Sequence, residues 1–298
     1  MRPRGPLAAL TGDGPAPTLA RPMRPAIPLI FVLAALTGCG GPTAGGERAS
    51  ALDRIVAAKV LRVGMNPGYA PFEMVDTHGN LIGFDVDVVN YVAGQLGNGV
   101  RVEIRKSDWD PIIANLNAGK FDLIVSGMTR TPQRALRCEF TDPYFETGQA
   151  LLVNRARWKP SPGLTVRDFD RPGVVVATKL GTTGEIAARK FFKKATIKTM
   201  ESESDAALEV DAGRADLMVY DKPYIAIRAQ ESRARTFALL DPFTKEYLAM
   251  AVRKGDTELR DWLNLTIFEL KVSGTWDSLY QTWFVRMPWL DRVKRPSS

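Results

Sequence analysis

Short apolar runs alternate along this chain with segments in which apolar residues return every third or fourth position. Residues 61–65 (Leu-Arg-Val-Gly-Met), 102–104 and 121–125 read as strands, and 85–95 and 110–118 read as the helices between them. On the first of these helices Val88, Val89, Val92, Ala93 and Leu96 share one face, with Asp85 suited to cap the start and Gly97 to end it. After an apolar strand at 149–153 the pattern restarts, with strands at 173–178, 197–200 and 216–220 and helices at 183–192, 203–212 and 222–229. Alternation of this kind predicts βαβ units, hence an α/β fold of mostly parallel sheets flanked by helices. A folded part of about 250 residues is enough for two lobes, each with its own sheet. The last apolar run, 247–252, has no neighbouring strands of its own; it is expected to return to the first lobe, followed by helices through Phe284.

Residues 21–41 carry a basic flank, an apolar core from Ile27 to Leu36 and then small residues. This is the layout of a secretory signal, and the core is too short to span a bilayer as a stable helix. We expect residues 1–38 to be the signal peptide, with Met23 as a second candidate start because 1–22 are rich in Pro and Gly. Leu36-Thr37-Gly38-Cys39 resembles the lipobox of bacterial lipoproteins. The resemblance implies that Cys39 carries lipid and begins the mature chain, with 39–50 as a flexible tether. The expected location is the periplasmic or cell-surface side of the cytoplasmic membrane. Cys138, the other cysteine, reads as a small buried side chain. Formal charge is +7, and removing residues 1–38 takes away four Arg and one Asp and leaves +4. Basic and acidic residues are interspersed, which gives no nucleic-acid footprint. The single histidine, His78, lies in a polar turn, and no Cys/His spacing suits a metal. No cofactor is expected, and the chain is expected to be a monomer.

The densest chemistry lies in residues 121–144. An apolar strand of parallel type runs into Ser126-Gly127-Met128-Thr129, which puts small residues and hydroxyls at its carboxyl end, where ligands of open α/β sheets bind. Thr131-Pro132 then reads as N-cap and first position of a helix that carries Arg134 on its first turn. The whole string, through Phe140-Thr-Asp-Pro-Tyr144, resembles the signature of the polar amino-acid-binding proteins of bacterial ABC importers, extracellular solute-binding protein family 3. The resemblance covers about Leu52 to Phe284 and implies a two-lobed periplasmic-binding-protein fold of type II joined by two crossing strands, near 150–154 and 243–249. Lobe 1 would take 51–150 plus 248–286 and lobe 2 would take 154–244, leaving 287–298 as a C-terminal extension without an assigned role.

The same resemblance implies capture of a free amino acid between the lobes and its delivery to ABC transporter permease subunits. Arg134 matches the arginine that grips the ligand carboxylate in two-pronged fashion, joined by Ser126, Gly127 and Thr129. From the second lobe, Gly181-Thr-Thr-Gly-Glu185 opens a helix, so its N–H groups, with Thr182 and the Thr183 hydroxyl, are expected at the same carboxylate. Asp221 matches the aspartate that receives the ammonium, and Tyr69 and Trp109 match the aromatics that sandwich the side chain. Asp216 and Phe72 are assigned to structure and packing. Asn66 offers a neutral amide where lysine and arginine binders often have an acid, although Glu73 and Glu146 are candidates to sit nearby. Basic ligands are therefore less favoured and a polar uncharged, glutamine-like amino acid leads, with acidic amino acids behind it because no second cation stands out in the side-chain half. The alternative is a periplasmic enzyme on the same scaffold, such as a cyclohexadienyl dehydratase, which needs an acid placed to protonate a leaving hydroxyl. No residue of the sequence stands out for that role.

Overall fold

The computed structural model describes residues 49–97 and 99–293, and Gly14 before them. The expected signal peptide, Cys39 and the tether as far as residue 48 lie outside the described residues. Helix α1 (Ala51–Ala58) begins at Ser50, whose hydroxyl and the Asp53 carboxylate close a capping box. Strand β1 (Val60–Met65) follows, then the small hairpin of β2 (Met74–Val75) and β3 (Leu81–Ile82) around the His78 turn. Next come α2 (Phe84–Gln95), β4 (Arg101–Lys106), α3 (Ile112–Asn117), β5 (Leu123–Ile124), α4 (Pro132–Ala135) and β6 (Glu139–Thr147). The second half of the alternation gives β7 (Gln149–Asn154), β8 (Val175–Lys179), α5 (Thr183–Phe191), β9 (Thr196–Met200), α6 (Glu203–Asp211), β10 (Leu217–Asp221), α7 (Lys222–Glu231) and β11 (Thr236–Leu239). The chain ends with β12 (Glu246–Val252), α8 (Thr257–Val272), α9 (Thr275–Tyr280), a π-type turn over Gln281–Arg286 and α10 (Leu290–Val293).

Two five-stranded sheets result, in the orders β4-β1-β5-β12-β6 and β11-β7-β10-β8-β9. Each is parallel in one half and antiparallel in the other. The βαβ units give the parallel pairs, and the strands beside the two crossings, β7 and β12, run against their neighbours. β12 does return to the first sheet, while β7 belongs wholly to the second, so the chain crosses at Gly148 and again over 240–245. The two crossings touch: a Cβ on Gly148 would lie 2.1 Å from the Thr244 carbonyl oxygen, and Gln149 N–H donates to Thr244 Oγ1 at 2.9 Å. Only glycine allows that approach.

Three expectations shift. Asp85 does not cap α2; Gly83 stands there, and Asp85 is buried as an acceptor for Gly127 N–H and the Tyr144 hydroxyl. α3 starts at Ile112, after Pro111, because proline suits a helix start and not its interior. Of the buried run 121–125, only Leu123 and Ile124 pair as strand. β6 and β11 carried no recognised signal. Charged and polar residues interrupt β6, which packs Phe145 beneath Phe72 and Phe284 at ring separations of 5.0 and 4.9 Å. The start of the extension folds back on the first lobe: Trp289 is buried against Trp283, and Arg292 pairs with Asp76 at 2.8 Å.

Candidate functional site

Carboxyl ends of β1, β5, β8 and β10 meet across one cleft, as strand order in open α/β sheets requires. All ten residues expected to touch ligand, Asn66, Tyr69, Trp109, Ser126, Gly127, Thr129, Arg134, Thr182, Thr183 and Asp221, line it. Local rules explain several placements. Thr131 caps α4 through its hydroxyl and Pro132 takes the first helical position, which aims Arg134 back at the end of β5. Gly127 has φ +51°, and a Cβ there would stand 2.2 Å from the Tyr69 ring. Its lack of a side chain is what lets that ring lie over the strand end. Thr182 caps α5 by accepting from Glu185 N–H, leaving Thr183 free of capping duty.

The two lobes are tied across the cleft at each level. Arg134 donates to the carbonyls of Thr129 (2.8 Å) and, on the other lobe, Gly181 (3.2 Å), with its guanidinium 5.1 Å above the Trp109 ring. Trp109 donates to the same Gly181 carbonyl at 3.0 Å. Tyr69 donates its hydroxyl to Asp221, which begins α7 without any capping bond from its side chain. That frees the Asp221 carboxylate for the cleft. Residual space is about 20 Å³, room for about one water. Anything larger than water enters only by separation of the lobes.

The hydroxyls behave differently from the expectation. Thr129 and Thr183 both donate to Glu246 Oε2, at 2.9 and 2.7 Å. Glu246 Oε1 receives Gln149 Nε2 (3.1 Å) and Thr244 (3.0 Å), and Gln149 Nε2 also donates to Asp221 Oδ1 at 2.5 Å. Neither Gln149 nor Glu246 stood out in the sequence; each is a polar residue at the start of an apolar run just past a crossing, and that position was the available signal. The end of the cleft beside Asn66 holds a further difference from the expectation, a second cation. Lys179, at the end of β8 and almost fully buried, donates to Asn66 Oδ1 (2.6 Å) and Glu203 (2.7 Å). A charge closing an apolar strand was the overlooked sign. Glu73 lines the cleft and accepts from Ser126 at 2.7 Å, whereas Glu146 lies outside it, in a separate groove of about 750 Å³ along β6 and α7, and pairs with Lys245.

Burial sets the protonation of these groups. Desolvation, with the neighbouring Glu246 carboxylate, pushes the Asp221 carboxyl up to about 7 against bonds from Tyr69 and Gln149 and the charge of Arg134. Burial and then Asp85 raise Glu73 well above the usual carboxylate range, and burial lifts Asp85 to about 6. Burial likewise pushes the Cys138 thiol up to about 11, as befits a packed side chain. Asp216 is structural as expected, accepting from Arg157, Trp158 and Val175. Among the described residues no cluster of ligating side chains suits a metal ion.

Comparison with known proteins points to one family. The sequence model of the bacterial extracellular solute-binding proteins, family 3, matches residues 61–286. The chain belongs to that family. A probable histidine-binding protein of Neisseria gonorrhoeae is 34% identical over 85% of this chain and 91% of its own. The ABC transporter glutamine-binding protein of Bacillus subtilis is 28% identical over 87% and 95%. Among solved structures, an ancestral amino acid-binding protein described as a precursor of cyclohexadienyl dehydratase is 42% identical, with TM-score 0.72, over 79% of this chain and all of that one. A putative ABC transporter binding component from Wolinella succinogenes, complexed with lysine, is 40% identical with TM-score 0.74 over 78% and 99%.

Proposed function

We propose that this family 3 protein binds a free amino acid with a polar uncharged side chain, of glutamine type, and presents it to an ABC importer. The observation that supports this reading is the polarity of the cleft: a guanidinium and a helix N-terminus at one end, a buried aspartate at the other, drawn from both lobes. A zwitterion needs that pairing and few other solutes do. Arg134 and the first N–H groups of α5 hold the carboxylate, Asp221 holds the ammonium, and Tyr69 and Trp109 flank the side chain. Ser126, Gly127 and Asn66 complete the lobe 1 wall and Thr182 fixes the start of α5. Lys179 is matched by Glu203, and burial raises Glu73 well above the usual carboxylate range, so the side-chain half is close to neutral and offers a ligand cation no free carboxylate. Calorimetry with glutamine, glutamate, lysine and arginine tests this directly, and tighter binding of lysine or arginine than of glutamine overturns the side-chain assignment.

Residues 1–38 are proposed as the signal peptide and Cys39 as the lipidated anchor on the outer side of the cytoplasmic membrane, with the folded part monomeric. Cys39→Ser is expected to move the protein from the membrane fraction to the soluble one; retention after a high-salt wash speaks against the anchor. For the enzymatic alternative, incubation with prephenate is expected to give no conversion beyond spontaneous decay, because the raised carboxyls are each engaged by neighbours within the cleft wall.

A further inference from the structure

We propose that Glu246 is a positioning residue that turns the hydroxyls of Thr129 and Thr183 into acceptors facing the cleft, and thereby assigns both to the ammonium of the bound amino acid. This deepens, and rests on, the amino-acid reading above. A threonine hydroxyl has one proton and two lone pairs, and a carboxylate only accepts. Since both hydroxyls lie within hydrogen-bonding distance of Glu246 Oε2, at 2.9 and 2.7 Å, their protons point at the glutamate. What remains toward the cleft is lone pairs. Such hydroxyls repel a carboxylate and welcome a donor.

The donor they fit is an ammonium, which has three N–H groups and no acceptor. Asp221 supplies one acceptor and the two threonines supply the others. Two of the three lie around a single amide: Gln149 Nε2 is 2.5 Å from Asp221 Oδ1 and 3.4 Å from Thr183 Oγ1, and it also donates to Glu246 Oε1 at 3.1 Å. Thr129 and Thr183 stand 3.4 Å apart on opposite lobes, so one ammonium can reach both. Glu246 itself is held on both oxygens, by Thr244 and Gln149 at Oε1 and by the two threonines at Oε2, which fixes the direction of every proton it receives. The carboxylate of the ligand is left to Arg134 and to the N–H groups that open α5, groups with nothing to offer an ammonium.

The test compares amino acids with their counterparts lacking the α-amino group. L-glutamine, L-lysine, L-arginine and L-histidine, each beside its amine-free acid, are titrated by calorimetry into the unaltered protein, Glu246→Gln and Thr183→Val. Glutamine at position 246 keeps the shape but puts an N–H₂ where one oxygen accepted, so a hydroxyl can turn outward and donate. The expected result is a preference for the amine-bearing member in the unaltered protein that shrinks about tenfold or more in both variants, the scale of a lost hydrogen bond to a charge. Equal loss for both members of a pair, or an undiminished preference, overturns the role of Glu246 while leaving the amino-acid reading standing. Failure of all four amino acids to bind the unaltered protein overturns that reading and this assignment with it. Should Glu246→Gln not fold, as judged by its melting curve, the isosteric Thr183→Val carries the comparison alone.

Discussion

Asp221 retains its proton to about pH 7 because burial and the Glu246 carboxylate both oppose a second negative charge. An ammonium ligand favours the charged form, so binding below pH 7 must expel that proton. Affinity is therefore expected to fall about tenfold for each pH unit below 7 and to level off above it, read by calorimetry between pH 5 and 8. Stability without ligand runs the other way. A carboxyl whose folded value is raised favours the folded state fully below its ordinary value of 3.8, and this contribution is lost as pH climbs toward 7. Asp221→Asn removes both trends. Arg134→Ala deprives the carboxylate of a charge-assisted pair in a dry cleft and is expected to cost about 2–5 kcal/mol of binding, thirtyfold to several thousandfold, with an unchanged melting temperature. Thr129 and Arg134 were legible because they sit in one long local string whose spacing carries the chemistry, and Asp221 because it closes a strand of its own and opens a helix. Glu246, Gln149 and Lys179 were not, since, Thr244 beside Glu246 apart, their side-chain partners lie 24 to 117 residues away and only the fold brings them together.

Elements with a strong local period were read within a few residues: β1, α2, α5, β10 and α7 all lie where the alternation of apolar positions placed them. β6 is a strand because β12 pairs along it, through two irregularities in register near Leu248 and Ala249, and not because its own residues alternate. The same dependence on distant partners explains why β5 is short. Glycine carries the element-scale constraint at the crossings. Gly148→Ala sets a methyl group 2.1 Å from the Thr244 oxygen and 2.8 Å from Pro242 Cβ, so one of two backbones must give way. A destabilisation of about 1–3 kcal/mol is expected, visible as a lower denaturation midpoint in urea. Thr244 also braces Gln149 and Glu246, so ligand affinity should drop in the same variant.

Across the whole molecule, the ties from Arg134, Trp109, Tyr69 and Lys179 to the opposite lobe exist only when the lobes are together. A ligand contacting both lobes shifts the balance toward closure by its difference in affinity for the two states. Small-angle scattering is expected to show a smaller radius of gyration with saturating glutamine than without, and no change in a preparation proven to bind speaks against hinge closure. The order of strands has a separate consequence for how the chain is made. β12 lies between β5 and β6 in the first sheet, yet it follows the entire second sheet in the sequence. Once the intervening hundred or so residues have been synthesised, roughly 5–20 s at ordinary rates, the second sheet has all its strands and the first still lacks one. Until β12 arrives, β5 and β6 present bare edges, the surface from which strands of different chains pair. The young chain is thus most prone to aggregate in the half that carries Arg134, and a nascent chain halted before residue 246 is the form on which a chaperone has most to cover.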